Sequence, residues 1–269
     1  MSKKQKMKKA NMLNKLYSCA VQLGLTNSSM VQFGYDNDLG LYYAETMDGA
    51  SRIFVSDKRR LELYKDGLEA RQQWILKDYR IPPDLVSSGD TVLDVGANIG
   101  ELGIWARALG ADYIAFEPDP TAFRALQNNV VSDQLYDKAL SDTNDISEFH
   151  LSTAEADSSL FKPIRSDKSI MVRTTTLDTF CDKPGAAQSI RLLKVEAEGC
   201  EPEVLMGAHE TLKIVEYIAV DAGPERGGEN TVPDVFNLLA AAGFELVDCF
   251  LLRGTFLFRK KAALHSNIG

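Results

Sequence analysis

The chain is poor in the residues that mark several protein classes. It has four cysteines in 269 residues, and Cys19, Cys181, Cys200 and Cys249 form neither a CxxC pair nor a zinc-ligand spacing. That pattern argues against a disulfide framework or a zinc ribbon and suits reduced thiols. Cys200, which follows an EAEG turn, reads first as a small packing residue. No apolar run approaches the roughly 20 residues needed to span a bilayer. The opening MSKKQKMKK lacks the apolar segment and small-residue cleavage site of a secretory signal, so a cytoplasmic location is expected. Internal repeats are absent, as is low complexity beyond the first lysines.

Charge is plentiful but uneven. Lys3, Lys4, Lys6, Lys8, Lys9 and Lys15 give the first fifteen residues +6 with no acid, inside a chain of net −8, which leaves −14 for the remainder. An acidic body argues against nucleic acid as a partner. The lysine arm runs on into apolar Leu13, Leu16, Tyr17, Val21 and Leu23. It fits weak contact with an anionic membrane surface or, the preferred reading, a solvated tail before a packed helix.

The most informative stretch is Thr91 to Glu101, TVLDVGANIGE. A short apolar strand delivers Asp94 and then a glycine-spaced turn into a helix, the layout of a nucleotide-type cofactor site. Gly96 and Gly100 permit turn angles and close backbone approach that a β-carbon resists, and the Asn98 amide is expected to hold the turn. Asn98 stands where GxGxxG needs its second glycine, the one that admits a pyrophosphate. A cofactor without phosphates fits better, and a nicotinamide-dependent oxidoreductase is disfavoured. Ala97 and Glu101 complete the expected turn contacts.

Sixteen residues beyond Glu101, the run YIAF ends in Glu117, followed by Pro118, Asp119 and Pro120. An acid at the end of the second strand of a doubly wound sheet accepts hydrogen bonds from ribose hydroxyls. The next short strand, near 135–140, brings Lys138 and Ala139 to the same edge. Together these segments resemble the S-adenosyl-L-methionine site of class I methyltransferases. LLKVEAEGCEPEVLMGAHETL (192–212) and VRTTTLDTF (172–180) resemble consecutive blocks of FkbM-type methyltransferases. Glu196 stands where that family has aspartate, which puts a longer side chain beside the expected reacting centre. The resemblance implies a Rossmann-like α/β fold and O-methylation of a hydroxyl on a sugar, glycan or glycosylated metabolite. A catalytically silent binding module is the alternative.

Periodicity sets the expected organisation. Residues 1–88 read as the basic tail plus a small α+β extension. In it, a helix is followed by a short hairpin around Gly40 to Glu45 and Arg52 to Ser56, then by one helix through Leu61, Tyr64, Leu68, Ile75 and Tyr79 that ends at Pro82-Pro83. Residues 89–262 read as the cofactor-binding domain: a mostly parallel sheet with an antiparallel C-terminal hairpin, FELVDCF and TFLFRK. Helices are expected at 99–109, 120–131, 201–212 and 232–242, and 263–269 as a tail. An insertion between Ile146 and Leu177 centres on Asp157, Ser158 and Ser159 and is expected to cover the site or to form a plain loop.

A neutral hydroxyl is a weak nucleophile and needs a base or a metal to take its proton. Glu196 and Glu198 lie just past one strand and Asp221 past the next, so the three are expected at one pocket. They either hold magnesium or, the preferred reading, act without metal, with Glu196 as a base whose pKa like-charged neighbours raise. Lys194 is expected either to pair with a neighbouring acid or to take a catalytic role. His150, on the insertion, is the other candidate base. His209 and His265 are expected to be a surface or packing residue and part of a frayed tail.

Overall fold

The computed structural model describes residues 31–152, 158–161, 166–183, 187–226 and 228–262. The lysine arm and the apolar positions after it, Cys19, Asp157 and His265 lie outside these residues. The described residues open with three strands, β1 (Val31–Asp36), β2 (Leu41–Thr46) and β3 (Arg52–Val55), which form an antiparallel meander in the order β1-β2-β3 rather than the expected two-stranded hairpin. Gly40, with φ +72°, makes the first turn. The meander docks on a later helix through Asn129, whose side chain accepts from the Phe54 N–H at 2.7 Å and donates to the Phe54 carbonyl at 2.8 Å.

The single helix expected through Leu61 and Tyr79 is two. A 3-10 segment, Lys58–Tyr64, is capped by the Asp57 side chain, and helix α1, Leu68–Asp78, starts after Gly67 at φ +103°. A residue with a β-carbon would resist that angle, so the glycine breaks the helix.

The cofactor-type core then alternates as expected: β4 (Thr91–Val95), α2 (Glu101–Ala108), β5 (Asp112–Phe116) and α3 (Pro120–Asn129). The strand expected near 135–140 splits in two. β6 (Leu135–Tyr136) joins the central sheet, while β7 (Ala139–Leu140) pairs with β9 (Ser166–Thr175), which in turn pairs antiparallel with β8 (Ile146–Ser152). The insertion is therefore a hairpin anchored by β7. After α4 (Leu177–Cys181) come β10 (Ile190–Val195), α5 (Glu201–Met206), β11 (Val215–Asp221), α6 (Val232–Ala241), β12 (Phe244–Phe250) and β13 (Thr255–Lys260). α5 stops at Met206, well short of 212, with Gly207 as its C-cap, packed where a β-carbon would sit 2.2 Å from the Ser141 carbonyl oxygen. The following turn is held by Asp178, which accepts from the Glu210 and Thr211 N–H groups.

Among the described residues, seven strands form the central sheet in the order β12-β13-β11-β10-β4-β5-β6, all running one way except β13, which pairs antiparallel with both β11 and β12. Side chains alternate across it. Leu93, Val95, Ile114 and Phe116 face one apolar layer with α5 and α6; Val92, Tyr113 and Ala115 face another with α1 and α2. Chain direction along the sheet reverses between β4 and β10, and the crevice at the carboxyl ends of such neighbours is where open α/β sheets bind ligands.

Candidate active site

The β4 turn is shaped by backbone constraints. Gly96 takes φ +69°, and a β-carbon there would lie 1.8 Å from the carbonyl oxygen of Glu196, so only glycine lets β4 and β10 end side by side. Asn98 is left-handed, with φ 50°, and its backbone N–H, rather than the expected side-chain amide, donates at 2.7 Å to Glu117. Across the crevice Glu198 mirrors it, with φ 49°. Such angles are uncommon outside glycine and gather where surrounding structure enforces them. Gly100 also needs its positive φ, but the space it saves is for Leu126 and Val130 of the α3 region, so it serves packing rather than ligand approach.

Two cavities open on this crevice. The first, of about 440 Å³, is lined by Gly96, Asn98, Glu117, Pro118, Asp119, Lys138 and Ala139, and by apolar Phe116, Leu140, Phe149, Leu151 and Leu160. Glu117 is buried and accepts a second N–H from Asp119 at 2.8 Å; burial pushes its pKa up to about 7. Asp119 caps α3, accepting from Thr121 and Ala122. The insertion forms the outer wall. Its Ser159 hydroxyl donates to the Glu198 carbonyl at 2.6 Å, and Ser158 lines the cavity. Cys200 also lines it, deeply buried, with burial pushing the thiol up to about 12.

The second cavity, of about 540 Å³, shares Gly96, Asn98, Glu196 and Glu198 with the first and adds Asp78, Tyr79, Asp94, Lys194, Asp221 and Arg253. Glu196, Glu198 and Asp221 thus do meet at one pocket. Among the described residues no group of three or more His, Cys, Asp or Glu side chains is arranged to hold a metal ion.

Charge in this pocket differs from the expectation. Lys194 is buried between two acids, with Nζ 3.2 Å from Asp94 and 3.0 Å from Glu196, and it donates to the Gly96 carbonyl at 2.7 Å. Burial raises the pKa of Glu196, but Lys194, the Tyr79 hydroxyl and Arg60 outweigh it and hold the carboxyl below its ordinary range. Glu196 is therefore an ionised partner of Lys194, not a base with a raised pKa. The carboxyl that rises is Asp221, pushed up to about 8 by burial and by the charges of Glu196 and Glu225. Asp94, buried, accepts from the Tyr113 hydroxyl at 2.6 Å, and burial keeps it above the usual aspartate value despite Lys194.

Two further residues move from their expected places. Glu101 lines the second cavity only, and its carboxylate is engaged by Tyr64, by Arg71 at 2.8 and 3.2 Å and by Arg60, so it anchors the N-terminal extension rather than a cofactor. His150 lines neither cavity: Phe149 and Leu151 on either side of it face the first, and strand alternation turns His150 away. His209 is exposed beside Glu210. The EAEG turn is closed by a residue the sequence reading passed over, Glu201, whose buried carboxylate accepts from Ala197 and Gly199. Arg226 fastens the same turn from the outside, donating to the Gly199 carbonyl and to Glu203 while covering the Phe161 ring of the insertion at 4.2 Å.

With that geometry in place, comparison with known proteins is decisive on one point. Residues 94–246 match the methyltransferase FkbM domain. The chain belongs to the FkbM methyltransferase family. It is similar to the 2-O-methyltransferase NoeI of Sinorhizobium fredii (strain NBRC 101917 / NGR234), at 29% identity over 220 residues, 74% of this chain and 90% of that protein. Among solved structures it is similar to a putative S-adenosylmethionine dependent methyltransferase from Listeria monocytogenes, at 12% identity and TM-score 0.42 over 72% of this chain and all of that one (100%). It is also similar to the sugar N-methyltransferase KedS8 from Streptoalloteichus sp ATCC 53650, at 10% identity and TM-score 0.41 over 75% of this chain and 91% of that one. This FkbM-family protein is an S-adenosyl-L-methionine-dependent methyltransferase. Its extension, residues 31–93, and Arg253 lie outside the matched region yet supply much of the second cavity.

Proposed function

We propose that the protein methylates a hydroxyl of a sugar, glycan or glycosylated metabolite, with the first cavity for the cofactor and the second for the acceptor. The observation that carries this reading is the adjacency of two cavities across one wall. Both carry charged side chains, but the first adds the buried Glu117 and an apolar group, Phe116, Leu140, Phe149, Leu151 and Leu160, while the second gathers seven carboxylates and five cations.

The first cavity suits S-adenosyl-L-methionine. Glu117 meets only N–H donors from the backbone and has lone pairs left to accept from a ribose diol, while Pro118, Ala139 and Leu151 supply apolar contacts for a purine. When bound, this cofactor supplies a methyl group on a positively charged sulfur. Glu196, kept ionised by Lys194, places negative charge at the junction of the cavities, where it favours such a cation. Asp221 is the proposed base for the acceptor hydroxyl. Its pKa near 8 matches it to proton transfer near neutral pH, and groups of this kind contribute roughly 10²–10⁴ in rate. The shared wall sets the approach of acceptor to methyl, and alignment alone supplies about 7–11 kcal/mol in well-oriented reactions.

The oxygen acceptor is supported by the name of the relative, a 2-O-methyltransferase, and its polyhydroxylated character by the polar lining. Incubation with methyl-labelled cofactor and a panel of neutral glycosides, read by mass spectrometry, is expected to yield O-methyl sugars. Label found only on nitrogen or on non-sugar acceptors would overturn the proposal.

A further inference from the structure

Trp74 is a large aromatic residue left 47% exposed on α1, and it stands in the wall of the second cavity. Its position is fixed from one side. The Arg71 guanidinium lies 4.5 Å over the ring and is itself held by Glu101, so one face of the indole is covered and its orientation is braced. Nothing in the cofactor reading uses this residue, and it lies outside the matched family region. Deeper in the same cavity, Asp78 is 3% exposed, and one of its carboxylate oxygens, Oδ1, has no hydrogen-bond partner among the described residues. The other accepts from Arg253 at 3.2 Å, and Arg253 reaches towards Asp221 at 3.7 Å. A buried carboxylate oxygen without a donor is costly unless a ligand supplies one.

The charge of the lining narrows the ligand. Seven carboxylates and five cationic side chains line the cavity. That balance opposes an acceptor carrying phosphate or carboxylate and suits a neutral one rich in hydroxyl donors.

Resting on the sugar reading above, we propose that Trp74 is the stacking platform of the acceptor site. It receives the C–H face of a neutral pyranose ring, whose hydroxyls donate to Asp78 and Asp221 and accept from Arg253. An aromatic face and a ring of aliphatic C–H bonds exclude water from each other, while the carboxylates take the polar edge. The N-terminal extension then selects the acceptor, and the matched domain handles the cofactor.

The test uses the full chain with methyl glucoside, mannoside, galactoside and rhamnoside, with methyl glucuronide as the anionic control and glycerol as an acyclic one. Binding is followed by saturation-transfer NMR and transfer by mass spectrometry. Trp74→Ala is expected to raise KM for the best pyranoside about ten-fold, equivalent to ~1.4 kcal/mol. S-adenosylhomocysteine affinity and melting temperature should stay unchanged, and Trp74→Phe should restore most of the loss. The glucuronide is expected to bind worse than the glucoside. An unchanged pyranoside KM in Trp74→Ala overturns the platform while leaving the sugar reading in place. A wild-type protein that neither binds nor methylates any pyranoside overturns the sugar reading, and the platform with it.

Discussion

The Nζ of Lys194 lies 3.0 Å from the carboxylate of Glu196, two residues on and just past the end of β10, and ties it to the backbone of the Gly96 turn. Lys194→Met should leave Asp94 and Glu196 buried without their shared cation. Breaking a buried pair in this way costs about 3–5 kcal/mol. Urea denaturation should show a loss of that size, and cofactor affinity should fall with it because the turn loses its tether.

Glu117→Ala should weaken cofactor binding by about 1.5–3 kcal/mol, the range for hydrogen bonds to a charged group. Calorimetry with S-adenosylhomocysteine checks this; unchanged affinity would remove Glu117 from the ribose role.

Without ligand, the protein should lose stability as pH rises. Glu117 and Glu201 are pushed up to about 7 and Asp221 to about 8, each chiefly by burial, so each binds its proton more tightly folded than unfolded. Their contribution is complete below about 4, where exposed carboxyls titrate, and is lost as pH climbs through the folded values. Melting temperature measured from pH 5 to 8.5 should decline, and Asp221→Asn should flatten the upper part of that decline.

Asp221→Asn should lower kcat by roughly 10²–10⁴ while leaving cofactor affinity near the wild-type value. In the wild type, kcat/KM should rise with pH through about 8 as Asp221 becomes the base form. Loss of that limb in the variant identifies the residue. A limb that persists would assign the proton transfer elsewhere.

Glu101→Ala should release Tyr64, Arg60 and Arg71 together and loosen the extension from the matched domain, at a cost of about 3 kcal/mol. Limited proteolysis should then cut near Gly67 sooner than in the wild type.

The cofactor half of the site was readable because it is local. Strand, turn, helix, strand and acid follow one another from Thr91 to Asp119, and each short segment carries its own constraint. The proposed acceptor half is built from distant positions: Arg253 meets Asp78 across 175 residues, and no spacing rule foretells that contact. The sign of the shift at Glu196 was open to inference. Alternate residues of a strand share a face, so a lysine two positions before an acid is its natural partner. What the pattern concealed was the second acid, Asp94, arriving from the neighbouring strand, and the tyrosine at position 79, which looked like one more apolar helix position. The interruption at Gly67 and the early end of α5 at Gly207 were visible as glycines, but Gly67 acts through a positive φ in open space and Gly207 through close packing on Ser141, and neither is written in the glycine itself.

The wall common to the two cavities has a thermodynamic consequence. Gly96, Asn98, Glu196 and Glu198 belong to both, as do Arg59 and Arg60, and Gly96, Asn98 and Glu198 hold left-handed backbone angles. Any rearrangement of that wall by one occupant is felt by the other, and the effect is reciprocal: the factor by which cofactor changes acceptor affinity equals the factor by which acceptor changes cofactor affinity. The affinity for S-adenosylhomocysteine with acceptor present and the affinity for acceptor with S-adenosylhomocysteine present are therefore two readings of one coupling free energy.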